Sequence, residues 1–548
     1  MRFVAFLCVA LAPVLVPLAA QQAPDVGAIA DRVFAEWNST HTPGCAVGVS
    51  QRGRVLLVRG YGMANLETGT PITAETIFES GSVAKQFTAA ATLLLAADGK
   101  LSLDDPVRKY VPELPEYDRP LLVRHLLSHT SGLREWSNLV ALAGWPRGTR
   151  VHTQDELLEA VFAQRSLNYP VGDYYSYTNS GFALLATIIE RVSGKSFAAF
   201  TAERIFRPLG MASSGWRDDF RRIVPGRAQA YSRTREGFEL NMPFEDVVGP
   251  GGMLTTVGDW LRWNDALDRR SLEGGLADLL EQPATLTNGR RIQYAMGLMV
   301  RTYRGTREVA HSGSTAGYST YLTRFPEHGL SVAVLCNVAG APATRYAREI
   351  ADALIPGLAP ESPPDTVAID PGFASRVAGV YRSTRTHQPM FVAVAEPGGR
   401  GGRGGGGGPA IRALRDGSHL VGNQRVLFDL DANGRPRGLR VLQGDGDTVA
   451  FVYAAATPWR PSADELRTFE GTYSSDEVGA SYTATVDSGR LVLRLRTAVR
   501  RVLTPVYPDA FSAGGMGTVW FTRDARGRVT AMHVGAARVW DIAFERQR

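Results

Sequence analysis

Ser82 and Lys85 lie three residues apart at the start of a long apolar-periodic segment that runs to about residue 98. Residues at positions i and i+3 share one face of a helix, so the lysine amine can lie beside the serine hydroxyl. Serine becomes a good nucleophile only when a nearby base takes its proton. A helix N-terminus adds backbone N–H groups that favour an oxyanion. This turn therefore predicts a serine nucleophile with a lysine base partner.

The same two residues also fit an ordinary helix start, because serine is a common N-cap and lysine in a first turn is usually solvated surface. Basic residues in this chain are otherwise arginines, and its four lysines are Lys85, Lys100, Lys109 and Lys195. Lys85 is the one that follows a serine at this spacing. The pattern is a hypothesis that the rest of the chain must support.

Tyr177 and Asn179 flank a single residue in an aromatic-rich loop, and a helical pattern follows them. The tyrosine could relay a proton if a neighbouring cation lowered its pKa. The asparagine amide could hold the substrate and Lys85. The alternative interpretation is a packed loop, since aromatic residues mostly serve packing.

A third candidate group begins at His311 on a predicted strand and continues through Gly313 and Ser314. Glycine permits close approach of the backbone to a ligand. The backbone N–H of Ser314 could complete an oxyanion hole with that of Ser82. His311 could place a positive or donor group beside a substrate carboxylate. The alternative is a strand-end histidine with a local hydrogen bond.

The chain has 548 residues, which is too long for one hydrophobic core. Its 44% hydrophobic and 21% charged content is ordinary for a globular protein, and its net charge is +6. The arginines are scattered, which indicates a solvated surface, and we find no RNA-binding signature, metal-finger spacing or P-loop. The glycine-rich stretch 398–408 is predicted to be a floppy hairpin insertion rather than a nucleic-acid segment.

Residues 1–20 contain one arginine, then an apolar run, then small residues, which is typical of a cleavable secretory signal. Cleavage after Ala20 is expected. Pro13 and Pro17 argue against the alternative of an uncleaved membrane anchor. We therefore expect an exported protein, periplasmic or secreted, with no stable membrane insertion after cleavage.

Strand-like patterns occur on both sides of a mostly helical middle region, 100–290. This arrangement predicts an α+β domain over 21–357, with one sheet built from both ends, an inserted helical lobe, and a cleft between them. Cys45 and Cys336 both fall in core strands, and the sequence leaves open whether they are free thiols or a disulfide. The predicted strands are 45–51, 54–61, 294–303, 308–311, 318–325 and 330–336.

Residues 358–371 are predicted to be a linker, and the chain beyond it is β-rich and repeats itself. Gly379 and Tyr381 correspond to Gly471 and Tyr473, and similar phrases follow in both copies at an offset of 92 to 93 residues. We predict β modules at 372–457 and 462–548. Whether they are two barrels or two halves of one stays open.

In this order, the Ser-x-x-Lys, Tyr-x-Asn and His-Ser-Gly motifs resemble the pattern of serine β-lactamases and penicillin-recognising enzymes. The chain is most similar to class C β-lactamases, DD-peptidases, D-aminopeptidases and related esterases, over about residues 25 to 355. The resemblance implies a β-lactamase/transpeptidase-like fold. The C-terminal modules resemble the lipocalin-like barrels attached to some D-aminopeptidase-type relatives.

The resemblance implies a serine hydrolase that acts through an acyl-enzyme on amide or ester bonds, with D-amino-acid peptides and cell-wall fragments as candidate substrates. Lys85 and Tyr177 would share the role of general base, Asn179 would orient the substrate, and His311 would support charge. No metal and no organic cofactor are expected, and the oligomeric state is not indicated. The predicted catalytic residues are Ser82, Lys85 and Tyr177, and the predicted substrate-binding residues are Asn179, His311, Gly313 and Ser314.

Departures from the pattern keep other functions open. His311 stands where β-lactamases usually have lysine, which disfavours penicillin hydrolysis, although a true β-lactamase and a non-catalytic penicillin-binding sensor remain alternatives. No deacylating glutamate of the class A type can be assigned. His125 and His129 are four residues apart, but no third metal ligand accompanies them, so we expect a structural role. An α/β-hydrolase is disfavoured because the Gly-x-Ser-x-Gly elbow is missing.

Overall fold

The computed structural model describes residues 24–361, 363–394, 409–443, 447–496 and 499–548. The predicted signal segment, 1–20, and the glycine-rich stretch, 398–408, lie outside the described residues. Within the described ranges, no helix combines the length and the apolar character that a membrane span requires.

The first domain is built on a six-stranded antiparallel sheet whose strands come from both ends of the domain. The predicted α+β architecture is therefore confirmed. The strand order across the sheet is Met299–Tyr303, Thr306–Thr315, Tyr318–Phe325, Leu330–Cys336, Cys45–Gln51 and Arg54–Tyr61.

Two predicted strands differ in extent from those observed. The strand predicted at 294–303 begins only at Met299, because the amide of Ala295 closes a turn onto the carbonyl of Leu298 at 2.8 Å. The strand predicted at 308–311 extends over Thr306–Thr315. The whole motif that begins at His311 therefore lies on a strand and shares that strand's geometry.

Alternating side chains give this sheet two covered faces. Val47 and Val49 pack on one face with the helices Val26–Val33 and Ala343–Leu354. On the other face the helix Val257–Asp268 crosses so closely that a Cβ at Gly48 would lie 3.1 Å from Leu261. Both faces of the sheet are thus covered by helices.

Cys45 and Cys336 sit directly opposite each other on the neighbouring strands Cys45–Gln51 and Leu330–Cys336, and they form a disulfide. This settles the alternative that the sequence left open. These are the first and the last strands of the sheet in chain order, so the bond spans a sequence separation of 291 residues.

The helical lobe is inserted between the strands Arg54–Tyr61 and Met299–Tyr303, as predicted for the middle of the chain. Its central helix, Lys85–Ala97, is buried on nearly every side, from Lys85 to Leu95. Such all-round burial places whatever stands at its first turn in the interior of the domain. The other helices of the lobe are Val123–Leu127, Trp136–Leu142, Gln154–Phe162, Asn179–Ser193, Phe197–Thr201, Val257–Asp268 and Leu276–Leu280.

Short elements complete this domain. The single-turn helices are Ala35–Trp37, Gly81–Ala84, Val107–Lys109, Ala202–Phe206, Glu273–Gly275 and Pro326–His328. The short strands are Met63–Asn65 with Thr70–Pro71, Phe78–Glu79 with Met253–Thr255 and Gly215–Trp216, and Tyr231–Arg233 with Phe238–Leu240.

The C-terminal region forms two separate sheets, of eight and nine strands, so the repeat builds two modules. The first module contains the helix Pro371–Val377 and the strands Thr366–Val367, Gly379–Ser383, Pro389–Val392, Ile411–Leu414, His419–Val421, Gln424–Leu430, Pro436–Leu442 and Thr448–Ala455. The second contains the helix Ala463–Arg467, the single turn Gly514–Met516 and the strands Gly471–Ser475, Ala480–Asp487, Arg490–Arg496, Val499–Val502, Thr504–Tyr507, Ala510–Ser512, Thr518–Arg523, Val529–Ala536 and Val539–Arg546.

Part of the segment predicted as a linker, 358–371, belongs to the first of these sheets. Thr366–Val367 pairs with Ile411–Leu414 and so forms an edge strand of the first module. The composition of the segment did not predict this strand, because the strand is only two residues long and lies among proline and aspartate residues.

Equivalent tyrosines show that the two modules repeat one design. The Tyr381 hydroxyl donates to the carbonyl of Val377 at 2.7 Å, and the Tyr473 hydroxyl donates to that of Phe469 at 2.8 Å. The first bond reaches the last residue of the helix Pro371–Val377, and the second reaches a residue just after the helix Ala463–Arg467. Tyr381 packs on Phe428, and Tyr473 packs on Phe521, so the partner rings repeat at the same offset as the sequence.

The second module is docked on the helical lobe. Leu139 and Leu142 of the helix Trp136–Leu142 belong to the module's own hydrophobic core, and the Tyr482 hydroxyl donates to the Leu142 carbonyl at 2.7 Å. The buried Arg134 guanidinium donates to the Glu477 carboxylate at 2.8 Å. Apolar packing and a partly buried ion pair thus join the two domains.

Candidate active site

The turn that carries Ser82 is held from both sides. It follows the strand Phe78–Glu79 and forms the single-turn helix Gly81–Ala84, which leads directly into Lys85–Ala97. Behind it, the fully buried Glu79 carboxylate accepts two hydrogen bonds from Arg217, at 2.8 and 2.9 Å. A bidentate pair of this kind fixes orientation as well as position.

The predicted base lies beside the predicted nucleophile. The Lys85 amine is 3.2 Å from Ser82 Oγ and 2.7 Å from both Asn179 Oδ1 and the carbonyl oxygen of Pro250. The last two oxygens can only accept, so they take two N–H groups of the amine. In a neutral amine, the lone pair is then left for the Ser82 hydroxyl.

Burial lowers the pKa of Lys85 well below its ordinary value, and the nearby Arg538 and Arg147 guanidinium groups act in the same direction. The Glu135 carboxylate opposes them and raises the pKa. Desolvation is the dominant cause, because the side chain is fully buried. The environment therefore favours the neutral amine, the form that can accept a proton.

Glu135 fixes the orientation of Asn179, and no sequence motif pointed to this residue. Its carboxylate accepts from the Asn179 backbone N–H at 2.6 Å, from Asn179 Nδ2 at 3.0 Å and from the Thr178 hydroxyl at 3.2 Å. Since Nδ2 faces this carboxylate, Oδ1 must face Lys85. Glu135 follows the helix-turn phrase that contains His125 and His129, but no spacing rule connects it with residues 44 positions away.

Tyr177 is brought to the same place. Its ring centre lies 4.8 Å from the Lys85 amine, and its hydroxyl is buried without a hydrogen-bond partner among the described residues. Burial raises the pKa of Tyr177. The sequence made proton relay by Tyr177 conditional on a lowered pKa, and burial acts in the opposite direction here. Tyr177 is therefore a phenol that can give a proton, whereas Lys85 is suited to take one.

His129 packs behind this tyrosine, with the two ring centres 4.2 Å apart. Its Nδ1 accepts from the Thr178 backbone N–H at 3.2 Å, while His125 Nδ1 accepts from the Leu122 backbone N–H at 3.1 Å. Burial lowers the pKa of His129 well below its ordinary value. The two histidines thus make separate local bonds, and His129 supports the ring of Tyr177.

His311 lies in the cleft, but as a neutral ring with both nitrogens engaged. Its Nδ1 is 2.6 Å from the carbonyl oxygen of Ser312, which only accepts, so Nδ1 carries the proton. Its Nε2 then accepts from the Tyr294 hydroxyl at 3.1 Å. Burial lowers the pKa of His311 to about 3. The expectation that His311 supplies a positive or donor group is corrected by these contacts.

The two predicted oxyanion-hole amides meet at one junction. A Cβ at Gly81 would lie 2.6 Å from the Ser314 nitrogen, and a Cβ at Gly313 would lie 3.1 Å from the Ser82 nitrogen. Gly81 also has a φ of +53°, in the left-handed region that favours glycine. Glycine at both positions lets the nucleophile turn and the strand Thr306–Thr315 approach closely.

These groups open onto a cavity of about 1120 Å³ between the sheet, the lobe and the second module. Lys85 lies behind the cavity wall and reaches it through Ser82. All the other predicted site residues line the cavity, namely Ser82, Tyr177, Asn179, His311, Gly313 and Ser314. The arrangement combines a nucleophile, a buried amine, a phenol and paired amides, which is the set that acyl transfer requires.

Residues 29–355 match the family model described as Beta-lactamase. The match covers more than half of the 548 residues. The chain belongs to the beta-lactamase family. It is a serine hydrolase of that family, and the predicted β-lactamase/transpeptidase-like fold is confirmed.

Relatives extend the similarity of this beta-lactamase family member beyond the matched domain. A D-aminopeptidase of Gluconobacter oxydans (strain 621H) is 27% identical over 521 residues, covering 92% of this chain and 96% of the relative. A penicillin-binding protein of Bacillus subtilis (strain 168) is 29% identical over 374 residues, covering 64% of this chain and 81% of the relative. The solved structure of the octameric penicillin-binding protein homologue from Pyrococcus abyssi covers 95% of this chain and 99% of its own, with 22% identity and a TM-score of 0.55.

Proposed function

We propose that this serine hydrolase cleaves amide or ester bonds through an acyl-enzyme on Ser82, and that its natural substrates are small D-amino-acid peptides or amides. The observation that carries the proposal is the Lys85 amine, which lies 3.2 Å from Ser82 Oγ and donates its N–H groups elsewhere. The similarity to a D-aminopeptidase over 92% of this chain supports the substrate class.

In the acylation step, Ser82 Oγ forms a bond to the substrate carbonyl carbon while Lys85 takes the hydroxyl proton. The backbone N–H groups of Ser82 and Ser314 stabilise the oxyanion. The bond from carbon to the leaving nitrogen or oxygen then breaks, and Tyr177 donates the proton that the leaving group needs. Lys85 returns its proton to Tyr177, so this step ends with both groups neutral.

In the deacylation step, water attacks the acyl carbon and gives a proton to Lys85. The ester bond to Ser82 breaks, the product acid leaves, and the proton returns to Ser82 Oγ. Asn179 holds the amine in place throughout, and Glu135 holds Asn179. In this scheme His311 positions the strand wall through Tyr294 and Ser312 and carries no charge.

The assignment is tested by labelling the protein with a fluorophosphonate and mapping the adduct. The label should fall on Ser82, and Ser82→Ala should lower kcat/KM for D-alanine p-nitroanilide by at least about 10⁴-fold. Ser312→Ala is the matched control, because Ser312 lines the same cavity and its side chain has no role in the scheme. A label on another serine, or turnover by Ser82→Ala near the unmodified rate, contradicts the proposal.

The substrate class is tested with enantiomers. D-alanine p-nitroanilide should be hydrolysed with repeated turnover, and the L enantiomer much more slowly. A protein that releases one equivalent of nitroaniline and stops is a sensor rather than an enzyme. Nitrocefin hydrolysis faster than that of any D-amino-acid substrate would favour a true β-lactamase.

We also propose that the chain is exported, with the first twenty residues removed as a signal. The Cys45–Cys336 disulfide supports this, because such bonds persist mainly in oxidising compartments. Mass analysis of the N-terminus of the protein recovered from periplasmic and culture fractions tests it. An intact Met1 in cytosolic protein contradicts it.

A further inference from the structure

One arginine in the cleft comes from outside the catalytic domain. Arg538 lies at the tip of the hairpin formed by Val529–Ala536 and Val539–Arg546 in the second β module. Its guanidinium carbon is 4.9 Å from the ring centre of Tyr177, and its side chain lines the cavity that contains Ser82. A residue of a different domain thus faces the reacting groups.

The tip of this hairpin is fixed against the catalytic domain. The Arg538 carbonyl accepts from the Glu135 backbone N–H at 3.3 Å and from Asn168 Nδ2 at 3.1 Å. The next residue but one, Trp540, donates its backbone N–H to Asn168 Oδ1 at 2.9 Å and packs on Tyr169 with ring centres 4.8 Å apart. The guanidinium therefore projects from an ordered base rather than from a free loop.

Four arginines line the cavity, and three of them form an ion pair with a carboxylate. Arg147 pairs with Glu245, Arg345 with Glu349, and Arg348 with Glu308. Arg538 has no carboxylate within ion-pair distance in the part of the chain that the structure describes. A half-buried cation without a counter-ion is suited to an anion that arrives with the substrate.

The position of Arg538 indicates which end of the substrate carries that anion. It lies over Tyr177, the residue that donates the proton to the leaving group in the proposed mechanism. His311, whose ring centre lies 6.1 Å from that of Tyr177, is neutral and has both ring nitrogens occupied. Arg538, the cleft cation that has no carboxylate partner among the described residues, therefore lies on the leaving-group side and comes from the second module.

We propose that Arg538 binds a carboxylate on the leaving group, so that the enzyme prefers short peptides whose released residue is the free C-terminal amino acid. This inference rests on the proposed function and narrows its substrate class. Arg538 is a specificity residue in this proposal: the carboxylate accepts two parallel N–H bonds from the guanidinium, and the leaving nitrogen is held next to Tyr177. The chemical step itself is unchanged.

The field of Arg538 at the site agrees with this placement. Its charge adds to the lowering of the pKa values of Lys85 and His129, and it opposes the rise in the pKa of Tyr177 that burial causes. A bound carboxylate would cancel much of that field. Binding of the preferred substrate would then raise the pKa of Lys85 just before it must take a proton.

The test compares two substrates that differ only in the terminal carboxylate, D-alanyl-D-alanine and D-alanyl-D-alaninamide. Arg538→Ala should lower kcat/KM for the free dipeptide by about 10- to 100-fold, the worth of a charge-assisted bidentate contact. The same change should alter kcat/KM for the amide by less than about threefold. Arg538→Lys keeps the charge without the planar fork, so it should fall between the wild type and Arg538→Ala.

Arg345→Ala is the matched control, because Arg345 lines the same cavity but pairs with Glu349 at 3.1 Å. Arg345→Ala should change kcat/KM by less than about twofold and by the same factor for both substrates, as expected for an exposed ion pair. Thermal unfolding of each variant verifies that the fold is kept.

An equal loss on both substrates in Arg538→Ala, or no loss on either, overturns the role of Arg538 and leaves the acyl-enzyme proposal intact. A wild-type protein that hydrolyses neither peptide and is not labelled at Ser82 overturns both proposals.

Discussion

The floor and the rim of the cleft are built in different ways. The floor, which consists of Ser82, Lys85 and Asn179, is held by hydrogen bonds within one domain and is closed off from solvent at the amine. The rim carries Arg538 on a hairpin of another domain, and its guanidinium faces the open cavity. The polar groups of the floor form their hydrogen bonds within the protein, whereas the guanidinium of Arg538 on the rim is left to bind a ligand.

This difference separates chemistry from selection. Groups that bond only to each other can serve any substrate whose carbonyl reaches Ser82. A cation supplied by an appended module can change without disturbing that set. Changes in the floor should therefore affect every substrate alike, whereas changes in the rim should affect substrates differently.

The largest effect is expected from the floor. Lys85→Ala removes the base and leaves Asn179 Oδ1 and the buried carbonyl oxygen of Pro250 without their shared donor. We expect kcat to fall by about 10³-fold or more for all substrates. Steady-state assays on a dipeptide and a p-nitroanilide measure it. A loss confined to one of the two substrates would break the comparison between floor and rim.

The pH dependence of kcat reports the protonation state of Lys85. Because the pKa of Lys85 is lowered by burial, the reactive neutral amine persists at pH values where an ordinary lysine is charged. Activity is lost as pH falls through the lowered pKa, by about tenfold per pH unit. The acidic limb of a kcat profile in the wild type measures this, and a limb near the ordinary lysine value of about 10 contradicts it.

Glu135→Gln should have an intermediate effect, since glutamine cannot accept all the bonds that orient Asn179. We expect kcat to fall by about 10- to 100-fold on all substrates. Removing this negative charge also takes away an influence that raises the pKa of Lys85, so the acidic limb should move to lower pH. A structural defect alone would lower the amount of folded enzyme and leave the limb in place.

A smaller and more selective effect is expected where the second module meets the lobe. Arg134→Ala breaks the buried bond to Glu477 and the 2.8 Å bond to the Asp541 carbonyl, close to the hairpin that carries Arg538. We expect a loss of about 3 kcal/mol in unfolding free energy. Selectivity for the free dipeptide over its amide should fall with it. Glu477→Gln and the double variant complete a cycle that isolates the pair.

The smallest effect is expected in the first module. His387 stacks on Trp520 of the second module at 4.0 Å, and burial lowers its pKa to about 4. The unfolded chain therefore binds more protons than the folded one between about pH 6.5 and 4, so stability falls as pH drops through that window. His387→Phe keeps the stack and removes this contribution. In this variant the slope of Tm against pH should flatten in that window. The kcat/KM values for D-alanyl-D-alanine and for its amide should not change.

Most of the fold could be predicted from the sequence, because the patterns that indicate it are local. Strand-like patterns predicted the strands Cys45–Gln51 and Arg54–Tyr61 with their observed ends. The repeat of Tyr381 at Tyr473 predicted two similar modules. The disulfide and the edge strand Thr366–Val367 depend on which strands become neighbours, and nothing local encodes that.

The site divides in the same way. Ser82, Lys85, Tyr177 and Asn179 belong to compact motifs, and the structure brings them together. Glu135 and Arg538 belong to no motif, and they reach the cleft only through the packing of the lobe and the second module. The chemical state of His311 was also beyond the sequence, since it depends on burial and on the Tyr294 hydroxyl.

The order of strands in the catalytic sheet has a consequence for how the chain is made. Cys45–Gln51 pairs with Leu330–Cys336, which the ribosome delivers almost three hundred residues later. Until then the edge of Cys45–Gln51 that Leu330–Cys336 will cover stays unpaired, and such edges are surfaces on which nascent chains associate wrongly. A polypeptide truncated before Leu330 would therefore present two defects at once, an open strand edge and an unbonded thiol at Cys45.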